Sequence, residues 1–174
     1  PAFSPTARLS GEVSAIAVQP DGNVILGGAF ADLGNATGGN LIRFRPNGTV
    51  DTGFNPAPNG AVSAIALQAD GKVIIAGSFS LVQGVARNRI ARLNTDGTLD
   101  TAFDPNVNAK INALVVQADG LIVIGGTFTS LNPNSAETTP ITRNYLARLN
   151  ANGTVDTAYN PTPNLNVNAL ALQA

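Results

Sequence analysis

The sequence predicts an all-β chain built of stacked four-stranded antiparallel blades, and three observations predict it. One pattern recurs: Val13 to Gly22 returns as Val62 to Gly71 and Ile111 to Gly120 and begins again at Val167, with starts 49, 49 and 56 residues apart. Each complete copy carries an Asp-Gly pair between two apolar runs, a hairpin signal. Both alternating sets of the first run are apolar or small, with Val62, Ala64 and Ala66 on one side and Ser63, Ile65 and Leu67 on the other. A strand of a two-layer sandwich shows polar residues at every second position, whereas a blade held between two others hides both faces. A repeat of this length with several strands per unit therefore points to a β-propeller. A parallel β-solenoid is the main rival, but its coils are shorter and lack repeated Asp-Gly hairpins.

In the second repeat, strand A covers Val62 to Gln68, and the turn at Asp70-Gly71 leads into strand B, Lys72 to Phe79. Gly77 in strand B, like Gly27-Gly28 and Gly125-Gly126, marks a bulge or the close approach of a neighbouring backbone. The polar loop Ser80 to Asn88 follows. Strand C is Arg89 to Leu93, Asn94 to Gly97 turns the chain, and strand D is Thr98 to Phe103, ended by Pro105. The blades so defined are 13–54, 62–103 and 111–159. Residues 1–12 read as the end of a preceding blade and its link, because Phe3-Ser4-Pro5 aligns with Phe54-Asn55-Pro56, and 167–174 read as the first strand of a fourth blade. All form one repeat array with no helix. Three blades cannot close a ring that typically needs about four to eight. The sequence therefore reads as part of a longer array, or as a unit that other copies complete.

A meander places the A–B and C–D turns at one end of each blade and the B–C and D–A connections at the other. The second end carries the variable segments: Ala31 to Asn40, Ser80 to Asn88 and Thr129 to Asn144, with the links 55–61, 104–110 and 160–166. A specific ligand is expected there, with Arg87, Arg89, Arg143, Asn40, Asn88 and Asn144 as its polar groups.

Composition excludes several functions. Ten basic and eleven acidic residues leave a net charge of -1 without a run of either sign, so neither nucleic acid nor an anionic membrane surface is an expected partner. No apolar stretch approaches the roughly 20 residues of a membrane-spanning helix. The sequence contains no Cys and no His, so thiolate metal sites, cysteine nucleophiles and Ser-His-Asp triads are out of reach. The charged fraction of 12% is below the usual roughly 25%, and with Asn, Thr, Gly and Ala on the surface it points to a secreted or surface-exposed microbial protein.

One charged motif recurs. Arg43, Arg92 and Arg148 share a place in strand C, and Asp51, Asp100 and Asp156 share one in strand D. A turn centred on Asp96 sets Leu93 opposite Leu99 and Arg92 opposite Asp100. Such cross-strand pairs contribute a few tenths to about 1 kcal/mol and help fix register, so their role reads as structural. Asn94 to Asp100 also has a loose likeness to a calcium loop, but it lacks the terminal bidentate Glu, and a plain Asn/Asp-Gly turn is the expected reading. Asn35, Asn47 and Asn152 each begin a glycosylation sequon, two of them within these turns. No catalytic residue, metal or cofactor is expected.

Val62 to Phe79 and Asn88 to Pro105 resemble the delta-60 repeat, a bacterial β-propeller repeat of uncharacterised function. The likeness covers nearly the whole chain. It departs at Phe44-Arg45-Pro46, which replaces the usual Leu-Asn, and at Pro133 to Thr139, which lengthens one loop. The resemblance implies a large secreted or cell-surface bacterial protein in which the repeats act as scaffold or interaction modules, and it supplies no catalytic residue. Three functions follow in order: a noncatalytic structural or interaction module, whose partners are copies of itself or adjacent blades of a longer chain; a propeller binding a glycan or surface protein on its variable face; and a carboxylate-dependent hydrolase of lactonase or glycosidase type, the chemistry that remains without His or Cys.

Overall fold

The computed structural model describes every residue except 1, 2, 6–8, 33–38, 133–138 and 174. The insertion beginning at Pro133, most of the first B–C loop and the sequon at Asn35 fall outside the described residues. Three antiparallel sheets follow one another along the chain. The first joins β1 (Leu9–Val18), β2 (Val24–Asp32) and β3 (Leu41–Phe44) in that order. The second contains β4 (Val62–Leu67), β5 (Val73–Gly77) and β8 (Ile90–Leu93), and a small hairpin of β6 (Leu81–Val82) and β7 (Val85–Ala86) rises from its B–C connection. The third contains β9 (Ile111–Val116), β10 (Ile122–Gly126) and β13 (Leu146–Leu149), with β11 (Ser130–Leu131) and β12 (Ile141–Thr142) as its own hairpin. No helix occurs among the described residues, and no sheet closes on itself.

The turns form for local reasons. In the A–B hairpin of the second sheet, Gln68 N donates to Lys72 O at 2.9 Å and Gly71 takes φ +81°, so Ala69-Asp70-Gly71 is a three-residue loop closed by glycine in the left-handed region. The Asp70 carboxylate accepts the Lys72 N–H at 3.1 Å and holds the bend. Strand A then carries a bulge, since Val62 pairs with Gly77 and Ala64 with Ala76, leaving Ser63 over. A Cβ at Gly77 would sit 2.0 Å from the Ala61 carbonyl oxygen, so the glycine marks both a bulge and a close backbone approach.

Packing shows why the repeat is apolar on both faces. Val73, Ile74, Ile75 and Ala76 of β5 are all fully buried. Val73 and Ile75 join a core with Ile25 and Leu41 of the first sheet, while Ile74 and Ala76 join one with Ile122 and Ile124 of the third. Alternate residues of one strand therefore supply two cores, and each buried valine or isoleucine contributes on the order of 1.5–3 kcal/mol. A two-layer sandwich cannot place its middle sheet this way, and antiparallel pairing in every sheet excludes the parallel solenoid.

Three segments differ from the sequence reading. Strand D, predicted over Thr98 to Phe103, keeps one bridge, Leu93 to Leu99, made by the hydrogen bonds from Asn94 N to Thr98 O and from Asp100 N to Arg92 O. Beyond it the Asp100 carboxylate accepts the Ala102 N–H at 3.1 Å and bends the chain away, as Asp side chains do when they compete with a ladder. β1 begins at Leu9, inside the predicted link, because β2 continues to Asp32 and offers it partners. Residues 167–173, the described part of the segment expected as a strand over 167–174, lie in no strand: Val167 N donates to Gly126 O at 3.2 Å, and Val167 lies over Gly125.

Candidate functional site

The repeated charges come first because they are the least soluble in a core. Arg43 donates to Asp51 Oδ2 through Nε at 2.9 Å and Nη2 at 2.6 Å. Arg92 Nε meets Asp100 Oδ2 at 2.9 Å, with Lys72 Nζ at 2.7 Å from the same oxygen. Arg148 Nε meets Asp156 Oδ2 at 2.8 Å. Each guanidinium also lies over an aromatic ring: Arg43 over Phe54 at 4.2 Å, Arg92 over Phe103 at 4.5 Å and Arg148 over Tyr159 at 4.6 Å. Two of the three then cross to the next sheet, where Arg43 Nη1 donates to Thr95 O at 2.8 Å and Arg92 Nη1 donates to Ala151 O. Phe54 and Phe103 make the same crossing and press on Gly97 and Gly153 in the C–D turns ahead. The motif is thus a clasp between consecutive blades as well as a cross-strand pair.

Electrostatics agree with that assignment. Burial pushes the Asp51 carboxyl upward, but Arg43 overcomes it and holds the group below the usual carboxylate range. Asp100 behaves alike, with burial opposed by Lys72, the Ala102 N–H and Arg92. Asp156 is held low mainly by its hydrogen bond from Arg148. All three are anions at neutral pH with a cationic partner in place, a poor basis for acid–base chemistry there. In the C–D turn, Asp96 accepts from the Thr98 N–H at 2.9 Å and hydroxyl at 2.7 Å, which hold it below the usual range. Asn47 and Asn152 bind Thr49 and Thr154 in the same way, so these oxygens brace a turn.

The six residues predicted for a ligand divide. Arg87 and Arg143 are buried and turned onto the chain: Arg87 donates to Ala86 O and Thr101 O at 2.7 and 2.9 Å, and Arg143 to Thr142 O and Thr157 O at 2.8 and 3.1 Å. Neither guanidinium is offered to solvent. They close the loop at the end of strand D, whose carbonyls the shortened ladder leaves unpaired. Asn40 Nδ2 reaches Pro58 O at 3.2 Å in the following link. Asn144 is exposed, and its carbonyl accepts the Leu146 N–H at 2.8 Å. Asn88 and Arg89 remain, and they meet in one place.

That place is a groove of about 310 Å³ between the second and third sheets, at the end carrying the B–C and D–A connections. Asn88 and Arg89 enter from the second blade, Asn106 and Asn108 from the link, and Ser130 and Asn132 from β11 and its exit. Asn108 Oδ1 accepts the N–H groups of Thr129 and Ser130 at 3.0 and 3.1 Å, as Asn59 does for Ser80 and Leu81, so this asparagine belongs to the repeat. Asn88 Nδ2 donates to Asn106 Oδ1 at 2.7 Å. Asn132 Oδ1 is buried and has no donor among the described residues.

The recurrent blades match one protein-family model, described as a β-propeller domain of unknown function (DUF5122), over residues 19–54, 68–103 and 117–159. The chain belongs to this family. Each DUF5122 match runs from a glutamine before the A–B turn to the aromatic ring of the clasp, so the clasp lies inside the recognised unit while strand A lies outside it. No curated protein matches the chain. Sequence reasoning found the Arg and Asp of each DUF5122 unit but missed the ring. The available signal was Phe54, Phe103 and Tyr159, each eleven residues after its arginine.

Proposed function

We propose that this chain is a noncatalytic structural and interaction module, a segment of a β-propeller array in a bacterial extracellular or cell-surface assembly, with repeats of the delta-60 kind. One observation carries the reading: the first sheet presents to solvent the face that the second and third sheets bury against a neighbour. Ile16 and Val18 are 64% and 63% exposed, whereas Ile65 and Leu67, at the same register, pack into the core with the first sheet, and Leu114 is buried against the second. The occupant that fits is a further blade of the same repeat, since each covered copy of this face takes one. The chain's own Phe3-Ser4 supports this. Phe3 packs edge-on against Phe44, with ring centroids 6.1 Å apart, and Ser4 lies against Gly48, where Phe54 and Phe103 lie against Gly97 and Gly153.

Export to the cell surface rests on the delta-60 resemblance and on the weakly charged, Asn- and Thr-rich composition. The absence of catalysis rests on carboxylates already engaged in clasps and turns. Light scattering of the isolated chain tests the module: concentration-dependent association, reduced by Ile16→Asp with Val18→Asp, is the expected result. A stable monomer at high concentration, unchanged by the substitutions, removes the docking face.

A further inference from the structure

We infer that the groove between the second and third blades binds a carbohydrate, one or two neutral pyranose units in size. The inference goes beyond the module reading and shares with it only the premise that the sugar is held, not cleaved.

The argument begins with what the repeat does not require. At the equivalent registers between the first and second blades, Asn88, Asn106 and Ser130 are replaced by Gly39, Ala57 and Leu81. Those positions therefore fold without polar side chains. In the later interface all three become hydrogen-bonding residues that line one concavity. The seven-residue insertion of the third repeat also enters the sequence directly after Asn132. Polar groups that the fold does not call for, gathered at the loop end of two blades, are what a binding site looks like.

The chemistry of the lining selects the ligand. Asn88 and Asn106 satisfy each other through one hydrogen bond, which leaves an amide oxygen on one and an amide N–H on the other without a partner among the described residues. Ser130 adds a hydroxyl. Asn132 Oδ1 is a buried acceptor with no donor among the described residues, and an unmade bond of that kind costs on the order of 1–3 kcal/mol until a donor arrives. Arg89, held with φ 69° and pinned through Nη1 to Ser78 O and Phe79 O, is the one charged residue of the lining among the described residues. Among the described residues the lining mixes donors and acceptors with no carboxylate, which matches vicinal hydroxyls, each of which both donates and accepts. A metal would need anionic oxygens, and a phosphate or nucleic acid a cluster of cations. A protein partner would anchor through aromatic or aliphatic side chains in an apolar pocket, and Val107 and Pro140 are the apolar lining residues. The volume lies at the low end for small-molecule sites, which typically run about 300–1,000 Å³, and so sets the limit of one or two sugar units.

Saturation-transfer NMR tests this on the whole chain, with the methyl glycosides of glucose, galactose, mannose, xylose and N-acetylglucosamine, the β-linked disaccharides cellobiose and chitobiose, and a pool of random peptides. The expected result is transfer to at least one sugar, weakened about tenfold or more by Asn106→Ala with Ser130→Leu, the residues the repeat itself tolerates at those registers. Asn132→Ala should weaken it by a similar factor, and the sugar should be recovered uncleaved. Silence from every sugar, transfer indifferent to these variants, or variant-sensitive transfer to the peptides alone would overturn the carbohydrate assignment. Cleavage of a disaccharide that stops in the same variants would overturn the noncatalytic reading while leaving the groove in place.

Discussion

The second sheet and the first are built from the same repeat, yet one is covered on both faces and the other on one. Ile74 and Ile75 in the second have no exposure, while Ile16 and Val18 in the first stand largely in water. The clasp shows the same contrast from the other end. The Arg43 and Arg92 side chains are 10% and 12% exposed, each with a carbonyl of the next blade as acceptor, whereas Arg148 is 26% exposed and among the described residues meets its own Asp156 and Tyr159. In this molecule a residue's environment is set less by its place within a blade than by whether the next blade is present. Stability is then shared between neighbours, as in other linear arrays.

The largest test of that contrast is truncation of an apolar side chain on either side of it. Ile74→Ala opens a cavity in a core shared by two sheets and should cost about 2–5 kcal/mol in chemical denaturation. Ile16→Ala, at the uncovered face, should change stability by no more than about 0.5 kcal/mol. Equal losses at the two positions would show that Ile16 is buried in solution and that the first face has already found its partner.

The clasp sharpens the comparison with a smaller effect. Arg92→Ala removes the hydrogen bonds to Asp100 and Ala151 and the stack on Phe103, while Lys72 continues to neutralise the carboxylate. A loss of about 1.5–3 kcal/mol is expected. Arg148→Ala in this chain, where no described carbonyl of another sheet accepts from the guanidinium, should cost about half as much or less. A double-mutant cycle of Arg92 with Phe103 would separate the stack from the hydrogen bonds.

These interfaces also explain what could be read from the sequence alone. Strand B and the A–B hairpin were legible because their signals are local: the apolar run Val73 to Ala76, and Asp70-Gly71 beside it. That both faces of the repeat are buried was legible in the unbroken apolar pattern of Val62 to Leu67. The reach of Arg43 to Thr95 was not, since its acceptor is a backbone carbonyl 52 residues away and any residue presents one. The inward turn of Arg87 and Arg143 was hidden for a related reason. It depends on strand D ending early, and a β-rich run such as Thr98-Leu99 does not disclose that an aspartate carboxylate will break its ladder at Ala102. The groove at Asn106 and Asn132 was visible only as loose asparagines until the link and β11 were brought together.

The smallest predicted effect concerns acid, and it compares carboxylates inside and outside the clasp. Asp51, Asp100 and Asp156 are held below their ordinary value of 3.8. Their contribution is therefore fully present above that pH and lost as pH falls through the lowered values of the folded state. Asp104 is the opposite case. Burial raises its carboxyl despite Arg87, whose Nη1 lies 3.8 Å from Oδ2, so ionising it at neutral pH works against the fold and protonation removes the penalty. The other two repeats place Asn55 and Asn160 at this register, which have no charge to desolvate. Asp104→Asn should therefore raise stability at pH 7 by up to about 0.5 kcal/mol, and the gain should vanish below pH 3.8, where the wild-type carboxyl is protonated in both folded and unfolded chains. Thermal unfolding of the two proteins across pH 3 to 7 checks the sign. A wild type more stable than the variant at neutral pH would mean that Arg87 and Asp104 form a productive pair, which would place one more charged link at the boundary between the second and third blades.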